Sequence, residues 1–173
     1  NGVLVYNTTG QYNSGVGYNA MGSNTTGLRN TAMGWGALDG ADTENDNLAI
    51  GIDALGGSIA GGESNIAVGN YSLDANTSGD NNVGIGYNAL TGNTSGINNT
   101  ALGNSALAAN TTANKNVAVG YLSLTANTTG YANTSSGTES LIGNTTGSYN
   151  VGLGYEALKA NTTGDNNIGI GRA

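Results

Sequence analysis

Hydrophobic residues recur along this chain on two scales. Over three-residue stretches such as Leu48-Ala49-Ile50, Ile66-Ala67-Val68 and Val117-Ala118-Val119, large and small apolar residues alternate. These stretches return every 17 residues. Each unit is opened by an Asn: Asn13, Asn30, Asn47, Asn65, Asn82, Asn99, Asn116, Asn133, Asn150 and Asn167, with one step of 18 residues between Asn47 and Asn65. Four residues on stands a Gly in every unit: Gly17, Gly34, Gly51, Gly69, Gly86, Gly103, Gly120, Gly137, Gly154 and Gly171. Eight residues on stands Leu38, Leu55, Leu73, Leu90, Leu107, Leu124, Leu141 or Leu158, with Met21 in the first unit and Leu4 in the partial unit before it. The organisation is one repeat array over 1–173: a partial unit 1–12, units opening at 13, 30, 47, 65, 82, 99, 116, 133 and 150, and a partial unit 167–173.

Alternation of period two predicts a short strand after each Asn. The third position of the unit after Asn is large and apolar in all units but one, from Val16 and Met33 to Leu153 and Ile170, with Ser136 the exception, whereas the second is always Gly, Ala or Ser. The small face suits a narrow interior with backbone close by. The large face needs cover, either as the lumen side or from other chains. The second segment, as in Asn88-Ala89-Leu90, reads as a half-buried strand or bend that sends Leu inward. Asn-Thr-Thr-Gly and its variants then recur as a corner, because Asn and Gly tolerate left-handed backbone and Thr hydroxyls satisfy turn amides. A Gly-rich unit with two turn clusters per 17 residues leaves no room for a helix. The expected fold is therefore all-β: a parallel β-solenoid of about ten coils. Equivalent residues stack about 4.8 Å apart into a rod of roughly 48 Å, with the Asn amides as a buried ladder bonding to the coils above and below.

Composition narrows the function. The chain has 31 Gly, no Pro, no Cys, no His, 9% charged residues and a net charge of −7. Apolar content of 37% without Pro argues against disorder. The four cations, Arg29, Lys115, Lys159 and Arg172, are scattered, so nucleic acid and anionic membrane are not expected partners, and no apolar run is long enough for membrane insertion. With neither His nor Cys no catalytic constellation is recognisable, and no enzyme and no cofactor are expected. The chain opens on Asn1, with no signal-peptide pattern, as a processed or excised piece would. Both ends fall inside a repeat without a polar cap, which predicts a segment of a longer fibre or a unit that stacks end to end.

Asn116-Val117-Ala118-Val119-Gly120-Tyr121-Leu122-Ser123 and Asn65-Ile66-Ala67-Val68-Gly69-Asn70-Tyr71-Ser72 resemble the repeat of trimeric autotransporter adhesin heads of the YadA-like type. The longer unit with its Asn-Thr-Thr-Gly corner is similar to repeats of phage tail-fibre proteins. The resemblance implies a left-handed roll and a homotrimer on a cell or virion surface, serving as adhesive head or fibre shaft and meeting a surface glycan or host receptor. The unit here is longer than the adhesin-head repeat, and no stalk or anchor is present in the sequence.

Four further features carry possible chemistry. Tyr18, Trp35, Tyr87, Tyr121 and Tyr155 share the fifth position of their units and would either stack on sugars or cover a flank. Asp39, Asp42, Glu44 and Asp46 form a weak calcium candidate lacking the Gly and distal Glu of a calcium loop, beside the irregular stretch 39–64 that holds the inserted residue. Asn7, Asn24, Asn70, Asn76, Asn93, Asn98, Asn110, Asn127, Asn133, Asn144 and Asn161 stand in glycosylation sequons. The Thr rows offer a rival reading as an ice-binding solenoid, against which stand breaks at 41–44 and 58–61.

Overall fold

The computed structural model describes residues 2–40, 43–57 and 62–173. Among them there is no helix, and ten three-residue strands form one parallel sheet in chain order. They are β1 (Ser14–Val16), β2 (Thr31–Met33), β3 (Leu48–Ile50), β4 (Ile66–Val68), β5 (Val83–Ile85), β6 (Thr100–Leu102), β7 (Val117–Val119), β8 (Thr134–Ser136), β9 (Val151–Leu153) and β10 (Ile168–Ile170). Val16 lies beside Met33 and Leu48 beside Ile66, so the register holds even across the 18-residue step. The chain is a β-solenoid of stacked coils. Part of the insertion corner, residues 58–61, lies outside the described residues.

Which face of the strand turns inward is decided by size. Ala32, Ala49, Ala67, Ala101 and Ala118, from the middle of their strands, are buried against Met21, Leu38, Leu55, Leu73, Leu90, Leu107, Leu124 and Leu141 in one continuous core. The large residues on either side of them point out. A typical coil therefore encloses a narrow lumen with one Leu, two small residues and two Asn, and no second large side chain fits.

Leu reaches that lumen through backbone of the wrong hand. Leu38, Leu55, Leu90, Leu107 and their equivalents have φ between 49° and 54°, where the second segment turns as a bend and is not a strand. Left-handed backbone costs a non-Gly residue roughly 1–2 kcal/mol, which burial of Leu offsets at about 1.5–3 kcal/mol. Two further positions per unit share this conformation, exemplified by Asn88 (φ 54°) and Lys115 (φ 60°). No Val, Ile or Thr occupies any of these positions, as branching at Cβ would make them costlier still.

Main-chain hydrogen bonds run mostly between coils. In coil five, for example, Val83 N donates to Asn99 O at 2.8 Å in the next coil, and Gly86 N donates to Val68 O at 2.8 Å in the previous one.

Core volume is conserved by paired changes. Where the small residue before Leu is Ser72 or Ser140, the facing strand residue one coil on is Gly84 or Gly152, and the Ser hydroxyl donates to that Gly carbonyl at 2.9 and 3.0 Å. A Cβ on Gly84 would lie 2.6 Å from Ser72 Oγ. In most other coils the same two positions are Ala with Ala, as in Ala89 with Ala101, while Ser123 meets Ser135, its hydroxyl donating to the Ser135 hydroxyl at 2.7 Å. Gly84→Ala is therefore expected to cost roughly 1–3 kcal/mol by overpacking. Adding Ser72→Ala should recover most of it, measured as a double-mutant cycle in urea. Simple additivity of the two changes would show that the pair does not share one space.

Candidate interaction surface

The outward side of the sheet is built from the first and third residues of each strand. Val16 is 60% exposed, Met33 50% and Leu102 46%, and Ile66, Ile85, Val117, Ile168 and Ile170 are also exposed. The stripe runs the length of the array, narrows to its third-position residue at β1, β2 and β6, where Ser14, Thr31 and Thr100 take the first position, and is lost at β8, where Thr134 and Ser136 face solvent. Around the Gly bend beside it, Tyr18, Trp35, Tyr87, Tyr121 and Tyr155 stand about half exposed. Tyr18 and Trp35 stack on each other, nearly parallel at 5° with ring centroids 6.0 Å apart, and the Arg172 guanidinium lies 5.5 Å from the Tyr155 ring centroid. The aromatic row thus covers a flank of the coil and extends the apolar stripe sideways.

Beneath this surface lie two amide ladders. In the first, each unit-opening Asn accepts through Oδ1 from the next such Asn's main-chain N–H, unbroken from Asn13 to Asn167 at 2.9–3.0 Å. Its Nδ2 donates across the lumen to its own coil's corner carbonyl, as Asn82 does to Gly96 O at 2.8 Å. The contact from coil to coil is thus chiefly side chain to backbone, with amide-to-amide bonds secondary. In the second ladder, which the sequence reading took for plain turns, Asn93 Nδ2 donates to Asn76 Oδ1 at 3.0 Å, Asn110 to Asn93 at 2.8 Å and Asn144 to Asn127 at 3.0 Å, and each also holds its own corner carbonyl. The signal in the sequence is the recurrence of this Asn at one position in every corner but those at 41–44 and 58–61, whereas an exposed turn accepts Asp or Ser as well.

Burial in the two ladders corrects the glycan expectation. Asn24, Asn76, Asn93, Asn110, Asn127, Asn133 and Asn144 are fully buried with their Nδ2 groups engaged, and Asn161 is partly so. Only Asn7, Asn70 and Asn98 are exposed. A glycan on a buried corner amide is incompatible with the coil. The second ladder stops at Asn24, whose buried Oδ1 has no partner because the residue 17 positions later is Ala41, not Asn.

The two Thr of each corner differ in role. The first is tied down: Thr94 Oγ1 donates to Thr111 O and Thr128 Oγ1 to Thr145 O, both at 3.1 Å. The second is exposed at Thr9, Thr26, Thr43, Ser78, Ser95, Thr112, Thr129, Thr146 and Thr163. Thr43 keeps its place in this row, so the outer hydroxyls pass unbroken through one of the two expected interruptions.

The acidic run does not assemble a calcium site. Asp46 is drawn outward to Arg29, which donates to it from Nε and a terminal nitrogen at 2.6 and 2.7 Å. Glu44 is buried in place of the usual corner Gly, its Oε2 accepting from Thr43 N at 2.9 Å, and Asp39 turns to Asn19 Nδ2. Asp42 lies outside the described residues. Among those described, no three acidic side chains are grouped to hold a metal ion.

Asp39 instead neighbours Asp53 and Asp74 on successive coils. Burial raises the pKa of Asp39 and Asp74 above the usual carboxylate range, and the charge of Asp53 raises both further. A raised folded-state pKa means the native chain binds protons more tightly than the unfolded one, so this contribution to stability falls as pH rises through the range just above ordinary carboxylates. Asp46 and Glu156, held low by Arg29 and Lys159, act in the opposite sense. The difference between variant and parent isolates the cluster. Asp53→Asn is expected to stabilise the chain at pH 7, by under about 1 kcal/mol at these solvent-screened sites, and the gain should shrink at a pH below the raised values of Asp39 and Asp74. Equal gains at both pH values in urea titrations would refute the coupling.

Among the described residues no helix is long and apolar enough to cross a membrane. No protein-family model, curated protein or solved structure matches the chain.

Proposed function

We propose that this chain is a non-catalytic structural segment of an extracellular or virion-surface fibre, whose copies lie side by side on the outward strand face. The supporting observation is the apolar stripe itself. One or two residues wide and roughly 48 Å long, with the aromatic row beside it, it presents on the order of 500 Å² of apolar surface, at the upper end of what soluble monomers expose. Three copies meeting on these stripes would bury it, in agreement with the resemblance to trimeric adhesin heads, and would leave the Thr corners and part of the aromatic row to meet a surface glycan or receptor.

Mass measurement in solution is the test. A trimer is expected, and Ile85→Glu with Val68→Glu should release monomers whose far-ultraviolet spectrum is unchanged. A monomeric parent chain across the micromolar range would remove the reading.

The outer hydroxyl row supports a second reading, ice binding, since it is more continuous than the sequence suggests. It is a single row on a corner, without a second parallel rank. Thermal hysteresis above that of a control protein, together with a monomeric mass, would place this reading first.

A further inference from the structure

This chain has no Cys, so no disulfide joins its coils. It does have nine Tyr, and none is buried: all are at least 36% exposed, and Tyr12 reaches 81%. Exposed phenols are the substrate of one-electron oxidants, and two phenoxyl radicals couple when their rings can touch. One pair is placed for this. Tyr131 and Tyr149 come from adjacent coils, one position apart in the repeat, with ring centroids 4.9 Å apart and planes at 72°. Their backbones are joined directly, Tyr149 N donating to Tyr131 O at 3.1 Å, and Tyr131 N donates to Ser148 Oγ at 3.2 Å. The rings are thus held together from below while their outer edges stay open. Tyr149 also stabilises the protonated form of Tyr131. The other tyrosine pair, Tyr71 and Tyr87, is wider at 6.0 Å and perpendicular.

We propose that Tyr131 and Tyr149 are an intrachain oxidative cross-linking site, joined as dityrosine by a peroxidase-type oxidant with hydrogen peroxide. Each phenol gives up one electron and one proton. The two radicals form a carbon–carbon bond between ortho positions, and each ring regains its aromaticity by moving its ortho proton to oxygen. The peroxide accepts the two electrons and two protons and leaves as two waters. The product is a covalent staple between neighbouring coils of a chain that cannot form one with sulfur.

The test treats the whole chain with a haem peroxidase and hydrogen peroxide at several dilutions. The products are then denatured and cut with trypsin and a Glu-specific protease. The expected product joins peptides 116–139 and 140–156 with the loss of two hydrogens, with a fragment series placing the bond at Tyr131 and Tyr149 and a yield independent of concentration. It should fall to background in Tyr131→Phe and in Tyr149→Phe, and persist in Tyr87→Phe. These phenol-to-phenyl changes at exposed positions leave the coil intact. Persistence of the joined peptides in Tyr131→Phe, a yield that rises with concentration as chains couple to each other, or no such product while other tyrosines couple would each overturn the proposal.

Discussion

Gly86→Ala is expected to destabilise the array by roughly 3–6 kcal/mol, enough to disrupt the central coils. Gly86 has φ 133°, a conformation open in practice only to Gly, so a side chain there carries strain of about 1–3 kcal/mol. Its second penalty comes from the next coil: a Cβ would lie 2.6 Å from both the carbonyl carbon and oxygen of Gly103. Those atoms are main chain, and moving them breaks the stacking that every coil depends on, so overpacking adds a few kcal/mol more. Gly171 separates the two effects. It has φ 121°, yet nothing lies within 4 Å of the corresponding Cβ, so Gly171→Ala should show strain alone. Urea unfolding followed by circular dichroism gives both values. Equal losses at the two positions would mean that strain, not contact between coils, is what makes this column Gly.

A change of one atom type in the Asn column should be as severe. Asn99 Oδ1 accepts from Asn116 N at 3.0 Å, and its Nδ2 donates to Ala113 O at 2.8 Å. Asn99→Ala leaves the buried Asn116 N–H unmet, at about 1–3 kcal/mol, and takes from the Ala113 carbonyl one of its two donors, the other being Asn110 Nδ2 at 3.1 Å. Asn99→Asp keeps the shape and the acceptor but turns an oxygen toward the Ala113 carbonyl and buries a charge, so at pH 7 it should cost more than Ala does. The folded state would hold that carboxyl protonated, and the protonated acid can donate to Ala113 O as the amide did. Its pKa is then higher folded than unfolded, and the lost stability returns as pH falls through and below the raised value. Stability of Asn99→Asp measured from pH 7 to pH 4 should therefore rise relative to Asn99→Ala. Asn98→Asp, at the exposed neighbour, should change little at either end. A flat pH response would show that water reaches the column.

The two columns probed by these variants were legible in the sequence because Asn and Gly recur there without exception. So was the inward Leu, since no other large apolar residue is as regular. The direction of the strand face was not, because alternation such as Ile66-Ala67-Val68 says that the faces differ without saying which one is enclosed. The lumen answers that through volume: with Leu and two Asn already present, only Ala, Gly or Ser fits opposite. The corner Asn was misread for a different reason. Asn76-Thr77-Ser78-Gly79 matches a surface turn in every residue, and only the coil stacked on it turns the amide into core. The left-handed positions left a negative trace, the absence of β-branched residues, which is legible only once the columns are aligned. The proposed side-by-side contact has its trace in the large residues left outside.

The hydrogen bonds that join the coils have a consequence for how the chain folds. Side-chain ladder bonds such as Asn116 to Asn99 and Thr94 to Thr111 span 17 residues, or 18 across the inserted residue, which is about a tenth of the 173-residue chain. Such a relative contact order lies in the range of helical bundles and below that of typical β-sandwiches. Adding a coil requires closing one short loop, at the same entropic cost as the coil before it. Once a first pair of coils has formed, an all-β chain of this design grows as a zipper.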